Sequence, residues 1–105
     1  MPIMPSAVVN EAEIDRRVKE VARKLSPDVV RIRYALTLNS TGEESIFLRI
    51  VLSDEASTEK KLPEVTRRVR AELRKEIDFA KFGLYTYFNF RSRSEQAQLK
   101  EPAWS

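Results

Sequence analysis

The chain has 105 residues, 42% of them hydrophobic and 33% charged, the proportions of an ordinary globular domain, and that length leaves room for one hydrophobic core. Cysteine and histidine are both absent, which excludes a disulfide framework and a cysteine-built zinc site and removes the usual general base at neutral pH along with the commonest metal ligand. With 19 basic and 16 acidic residues the net charge is +3, an excess that permits binding to a polyanion without arguing for it.

Residues 1–9 form an apolar leader carrying Ile3, Met4, Val8 and Val9. It has two prolines, no Lys or Arg and no sustained apolar run, so it fits neither a signal peptide nor a membrane span, and the expected location is cytoplasmic. Asn10 with Glu13 three residues on is an Asn variant of the capping box. A helix from Glu11 to Leu25 follows, with Ile14, Val18, Val21, Ala22 and Leu25 on one face, acids early and bases late, as the helix dipole prefers. Ser26-Pro27 ends it.

From Val30 the period changes to two. Val30, Ile32, Tyr34, Leu36 and Leu38 fall on one side, Arg31, Arg33, Ala35 and Thr37 on the other, which predicts a half-buried strand. Asn39-Ser40-Thr41-Gly42 is turn chemistry. The run returns with Ile46, Leu48, Ile50 and Leu52 inward and Phe47, Arg49, Val51 and Ser53 outward, so the two strands make a hairpin. Beyond a polar connection from Asp54 to Thr58, the apolar residues Leu62, Val65, Val69, Leu73, Ile77 and Ala80 recur at helical steps and predict a second helix over Glu59 to Ala80. Gly83 stands at or just past its end. Leu84, Thr86, Phe88 and Phe90 then alternate with Tyr85, Tyr87, Asn89 and Arg91 as a third strand.

The order helix, strand, strand, helix, strand predicts a two-layer α+β fold, αββαβ, over residues 10–93. Two helices pack on one face of a three-stranded mixed sheet, and the second and third strands are parallel, adjacent or with the first strand between them. Residues 94–105 show no clear pattern and read as a C-terminal tail. The tail carries the one tryptophan, Trp104, expected to dock back onto its own domain, or else into a partner.

Two surfaces stand out. The outer sheet face would carry Arg31, Arg33, Phe47, Arg49, Val51, Tyr85, Tyr87, Asn89, Arg91 and Arg93. Tyr, Phe and Arg are enriched at interface cores, so this face suits a protein partner or a second copy of the chain. It also suits single-stranded RNA, whose bases stack on rings and guanidinium planes. The same residues are ordinary strand formers with arginine stems lying over them. On the second helix Lys60, Arg67, Arg70, Arg74 and Lys81 form a basic stripe, either a phosphate track or a solvated flank, whereas Glu64, Arg68, Glu72, Lys75 and Glu76 make a mixed face paired with itself.

Chemical motifs do not argue for catalysis. There is no Gly-rich phosphate loop, nucleophile elbow or calcium loop, and no cofactor or metal is implied. Asp54 with Glu59-Lys60-Lys61 has the residue types of a metal-dependent nuclease motif but falls in a connection and a helix start. Tyr85, Tyr87, Arg91 and Arg93 could stabilise a phosphorane-like transition state, which leaves a histidine-free ribonuclease as a third reading after protein binding and RNA binding. The expectation is a non-enzymatic binding module.

The stretch Ile46 to Ser57 and the stretch Tyr85 to Gln98 resemble a small bacterial family of uncharacterised proteins, a resemblance that covers most of the chain and implies no activity. In element order the chain also resembles type II KH domains and ribosome-binding factor A, which implies RNA binding. The Gly-x-x-Gly clamp of KH domains has no counterpart, since Ser53 to Leu62 contains no glycine. That departure places a protein partner or self-association ahead of RNA.

Overall fold

The computed structural model describes residues 10–105; the leader over residues 1–9 lies outside the described residues. Three strands, β1 (Val29–Leu38), β2 (Glu44–Leu52) and β3 (Tyr85–Ser92), lie in that order in a mixed sheet. Helices α1 (Glu11–Lys24) and α2 (Leu62–Glu76) cover its inner face, and a third helix, α3 (Arg93–Leu99), packs on the outer face. The two-layer αββαβ expectation holds for the main body.

Helix α1 spans Glu11–Lys24 and buries Ile14, Val18 and Val21 completely or nearly so. The Asn10 side chain does not cap it. The Asn10 carbonyl accepts from the amides of Glu13 and Ile14 at 3.0 and 3.1 Å, and the Glu13 carboxylate takes Arg17 Nε at 3.2 Å, one turn on. The expected capping box is therefore not formed here.

Strands β1 (Val29–Leu38) and β2 (Glu44–Leu52) pair antiparallel. Their turn is held by Asn39, whose Oδ1 accepts from the amides of Thr41 and Glu43 at 3.0 and 2.9 Å, a side chain standing in for backbone turn bonds. Gly42 takes φ +81°, the left-handed region that glycine enters without strain. The start of β1 departs from simple alternation. Val29 lies opposite Leu52 and Arg31 opposite Val51, so Val30 is an extra, bulged residue. The bulge turns Val29 into the core in place of Val30, which is half-buried; Ile32, Tyr34 and Leu36 then face inward as the pattern gives, whereas Leu38, expected inward, is exposed where the strand runs out beside the hairpin turn. On β2 Ile46, Leu48, Ile50 and Leu52 are fully buried, each worth about 1.5–3 kcal/mol of apolar burial.

Helix α2 spans Leu62–Glu76, shorter than the Glu59–Ala80 that periodicity predicts. Its start follows from Pro63, whose fixed φ suits a first turn. At the other end Ile77 is extended, and Asp78 Oδ1 accepts from Lys81 N, turning the chain into a compact loop. That loop drives Ile77, Phe79, Phe82 and Leu84 into the core, leaves Ala80 exposed, and reaches β3 through Gly83 at φ +67°.

Ion pairs from the mixed face of α2 run to the α1 side rather than within the helix. Lys24 reaches Glu72 at 3.0 Å, Arg17 reaches Glu76 at 3.7 Å, and Arg68 pairs with Asp28. Strand β3 (Tyr85–Ser92) lies parallel to β2 and adjacent to it, Ser45 opposite Tyr85 through Leu52 opposite Ser92.

The residues read as an unpatterned tail are ordered structure. Helix α3 spans Arg93–Leu99 and a 3-10 turn spans Pro102–Trp104. A capping box starts α3: Ser92 Oγ accepts from Glu95 N at 3.1 Å, and Glu95 Oε1 accepts from Ser92 N at 3.3 Å. Asp54, from the loop after β2, accepts from the Ser94 amide at 2.9 Å and from its hydroxyl. Helix α3 thus begins at the residue where the expected domain ends.

Candidate functional site

The outer face of the sheet divides into a covered half and an uncovered half. At the end of β2 that carries Val51, α3 contacts β2 and β3 while the 3-10 turn contacts β1 and β2. Val51 is fully buried there and Trp104 is only 6% exposed, and both stand apart from the main core. Trp104 docks on its own domain, the first of the two outcomes foreseen for it.

Three arginines of the outer face hold this segment down. Arg31 Nε donates to the Trp104 carbonyl at 2.8 Å, and Arg33 Nε donates to the Ser105 backbone oxygen at 2.7 Å. Arg91 lies over the indole at 4.3 Å, donates to Gln96 Oε1 at 3.1 Å and pairs with Glu101 at 2.8 Å. Gln96, itself buried, donates to the Glu101 carbonyl at 2.9 Å. The sequence places Arg31, Arg33 and Arg91 on an exposed binding face; the structure gives them this intramolecular ligand. Arg93 opens α3 and borders an open notch with Arg31, Gln96 and Lys100. The signal for the covering segment was present as Ser92-x-x-Glu95, a capping box concealed at the end of a strand-like alternation.

Phe47, Arg49, Tyr85, Tyr87 and Asn89 make the uncovered half. Phe47 and Tyr87 are register partners on parallel strands, and their rings stack at 4.8 Å with planes 10° apart, a pairing worth about 0.5–1.5 kcal/mol beyond area burial. Tyr87 OH accepts from Asn39 Nδ2 at 3.1 Å, and the Tyr85 hydroxyl bonds Glu43. The hairpin turn therefore fixes both tyrosines. The Tyr85 hydroxyl, followed by Thr41, holds the Glu43 carboxyl below its ordinary value, and Glu43 in turn pushes the Tyr85 phenol up. Tyr85 and Tyr87 remain 52% and 39% exposed, so the half-face is accessible.

The basic stripe divides as well. Lys60 lies in the loop before α2, and Lys81 in the loop after it, its Nζ 5.8 Å from the centre of the Phe82 ring. Arg70 sits over Phe90 at 5.2 Å and Phe88 at 6.0 Å, and Arg74 over Phe88 at 5.2 Å. Arg67, Arg70 and Arg74 have no carboxylate partner among the described residues.

Among the described residues no group of His, Cys, Asp or Glu comes together in a way that could hold a metal ion. The nuclease-like set disperses: Asp54 caps α3, Lys61 pairs with Glu55 at 3.3 Å, and Glu59 and Lys60 are exposed in a loop. No helix among the described residues is long and apolar enough to cross a membrane.

No protein-family model matches the chain, and no curated protein matches its sequence. Among solved structures it is similar to one titled MamM V260R, with a TM-score of 0.47 and 18% sequence identity over 79% of this chain and 95% of that one. A likeness of that size carries no inference about what this chain does.

Proposed function

We propose that the chain is a non-enzymatic binding module that engages a protein surface, in the first instance a second copy of itself, through the uncovered half of its outer sheet face. The observation that carries this reading is the stacked Phe47–Tyr87 pair, flanked by Tyr85 and fixed by the hairpin turn. Aromatic rings that are immobilised before contact lose little side-chain entropy when they are buried, which is the property of interface anchors.

Two features favour a protein over RNA, which the likeness to KH domains would imply. Each of the stacked rings already spends one face on the other, so fewer ring faces remain for bases. Arg31, Arg33 and Arg91, three of the cations on the outer sheet face, are engaged by the C-terminal segment. The same engagement of Arg91, with Tyr85 bonded to Glu43, weighs against a ribonuclease.

Sedimentation velocity over a concentration series tests the reading. The wild type should associate as concentration rises, and Tyr85→Ser with Tyr87→Ser should abolish association while circular dichroism stays unchanged. A wild-type monomer at every concentration rejects self-association. Fluorescence anisotropy with short single-stranded RNA addresses the other reading: tight, steeply salt-dependent binding weakened by Arg91→Ala and Tyr87→Ala would replace protein binding with RNA binding.

A further inference from the structure

We infer that the outer edge of β3 is a docking site for an acidic peptide segment, which adds to the sheet as a fourth strand beside the Arg70 and Arg74 row of α2. This surface is distinct from the uncovered half-face, and the inference stands whether or not that face binds a protein.

The sheet has two edges, and they are not treated alike. The β1 edge carries a bulge at Val30, together with Arg31 and Arg33, the devices that keep an exposed strand from pairing with a stranger. β3 has none of them along Tyr85–Phe90: no proline, no lysine, no arginine, and a register with β2 that runs from Ser45–Tyr85 to Leu52–Ser92 without a break. It pairs with β2 alone among the described strands, so half of its amides and carbonyls face away from the sheet. An edge left flat and unguarded is the surface that β-strand addition uses.

Charge identifies the occupant. Phe88 and Phe90 pack against the core on the helix side yet remain half-buried, with arginine side chains of α2 over their rings. Arg70 sits over Phe90 and Arg74 over Phe88, so α2 runs antiparallel to β3 and one helical turn matches two strand residues. The lengths agree: four helix residues rise about 6 Å and two strand residues about 6.6 Å. Carboxylates at alternate positions of an added strand would therefore meet Arg70 and Arg74 in turn, with Arg67 extending the row. None of these guanidinium groups has a carboxylate partner among the described residues.

A second copy pairing edge to edge would instead bring two such arginine rows together, a like-charge contact that disfavours it.

The test uses the full chain and a labelled peptide of alternating glutamate and valine, eight residues long to match β3. Three controls accompany it: a lysine–valine peptide of the same length, the glutamate peptide with every backbone amide N-methylated, and the protein carrying Arg70→Glu with Arg74→Glu. Anisotropy should show binding of the glutamate peptide about tenfold or more tighter than either control peptide, since charge-assisted contacts and strand hydrogen bonds are both required. The double variant should reverse the preference toward lysine. Amide exchange should slow at alternate β3 residues and stay unchanged in β1. The inference is overturned if the glutamate and lysine peptides bind alike, if N-methylation has no effect, or if the protected amides belong to β1. Concentration-dependent protection of β3 without peptide would overturn it in favour of self-pairing.

Discussion

Replacing Trp104 by alanine should destabilise the protein measurably, because the indole is the main apolar anchor of the segment that covers half the outer face. Burial of a tryptophan removes about 150–250 Å² from water, and at about 25 cal/mol per Å² this amounts to about 4–6 kcal/mol as an upper bound. With Trp104 6% exposed, nearly all of that applies. The alanine methyl and relaxation of the 3-10 turn recover part of it, leaving an expected loss of about 3 kcal/mol, the lower end of aromatic truncations. The cation–π contact with Arg91 at 4.3 Å disappears as well. Urea denaturation followed by far-ultraviolet circular dichroism would show this as a midpoint lower by about 1–2 M, given a slope of about 2 kcal/mol per M for a small domain. Trp104 is the sole tryptophan, so wild-type fluorescence should independently report a shielded indole. A stability change within about 0.5 kcal/mol, the range of ordinary surface substitutions, together with emission typical of a solvated indole, would refute the docking.

Arg91→Ala removes contacts to Trp104, Gln96 and Glu101 together and should lower stability by about 1–2 kcal/mol, and Arg91→Lys should restore less than half because an ammonium cannot reproduce the planar fork; urea titration measures both. Ser92→Ala breaks the capping box of α3 and should weaken docking of the C-terminal segment by about 1 kcal/mol, read from Trp104 fluorescence against urea. Asp54 is held below its ordinary value of 3.8, first by the Ser94 hydroxyl and then by the Ser94 amide. A carboxylate with a depressed folded pKa lends stability that is complete above its unfolded pKa and lost as pH falls through the folded one. Wild-type Trp104 emission should therefore shift on acidification below about pH 4, and Asp54→Asn should flatten that response. Tyr34 is pushed up to about 12, mainly by burial and then by the charges of Asp15 and Glu11. The folded chain keeps this proton longer than the unfolded one, so stability should hold below pH 10 and decline from there toward 12. Tyr34→Phe should reduce that alkaline decline in denaturant titrations at a series of pH values, leaving the smaller part that Tyr85, also pushed up, contributes.

Much of the fold could be read from residue order because binary patterning and burial agree. Ile14, Val18 and Val21 on one helix face, and Ile46, Leu48, Ile50 and Leu52 on one strand face, leave little choice of orientation. Val29 and Val30 are different: both are apolar, so either phase satisfies the pattern, and only pairing with Leu52 and Val51 reveals the bulge. The end of α2 was obscured because Ile77 continues the helical spacing, while the turn at Asp78 is a local hydrogen-bonding choice. The candidate face was half legible. Phase places Phe47, Arg49, Tyr85, Tyr87 and Asn89 together, and the structure does the same. The occupation of Arg31, Arg33 and Arg91 depends on contacts more than 70 positions apart in two cases, Arg31 to Trp104 and Arg33 to Ser105, and on the reach of Asp54 to Ser94. No local pattern encodes these.

The seat of Trp104 draws on all three strands, with Arg31 from β1, Val51 from β2 and Arg91 from β3. This imposes an order of assembly. The β1–β2 ladder closes across the short Asn39–Glu43 turn, whereas β3 must cross some forty positions to set Tyr85 against Ser45, and loops of that length close later than hairpins. The indole can settle only after the third strand has arrived, so quenching or blue-shifting of its emission during refolding times the completion of the sheet rather than the collapse of the helices onto it.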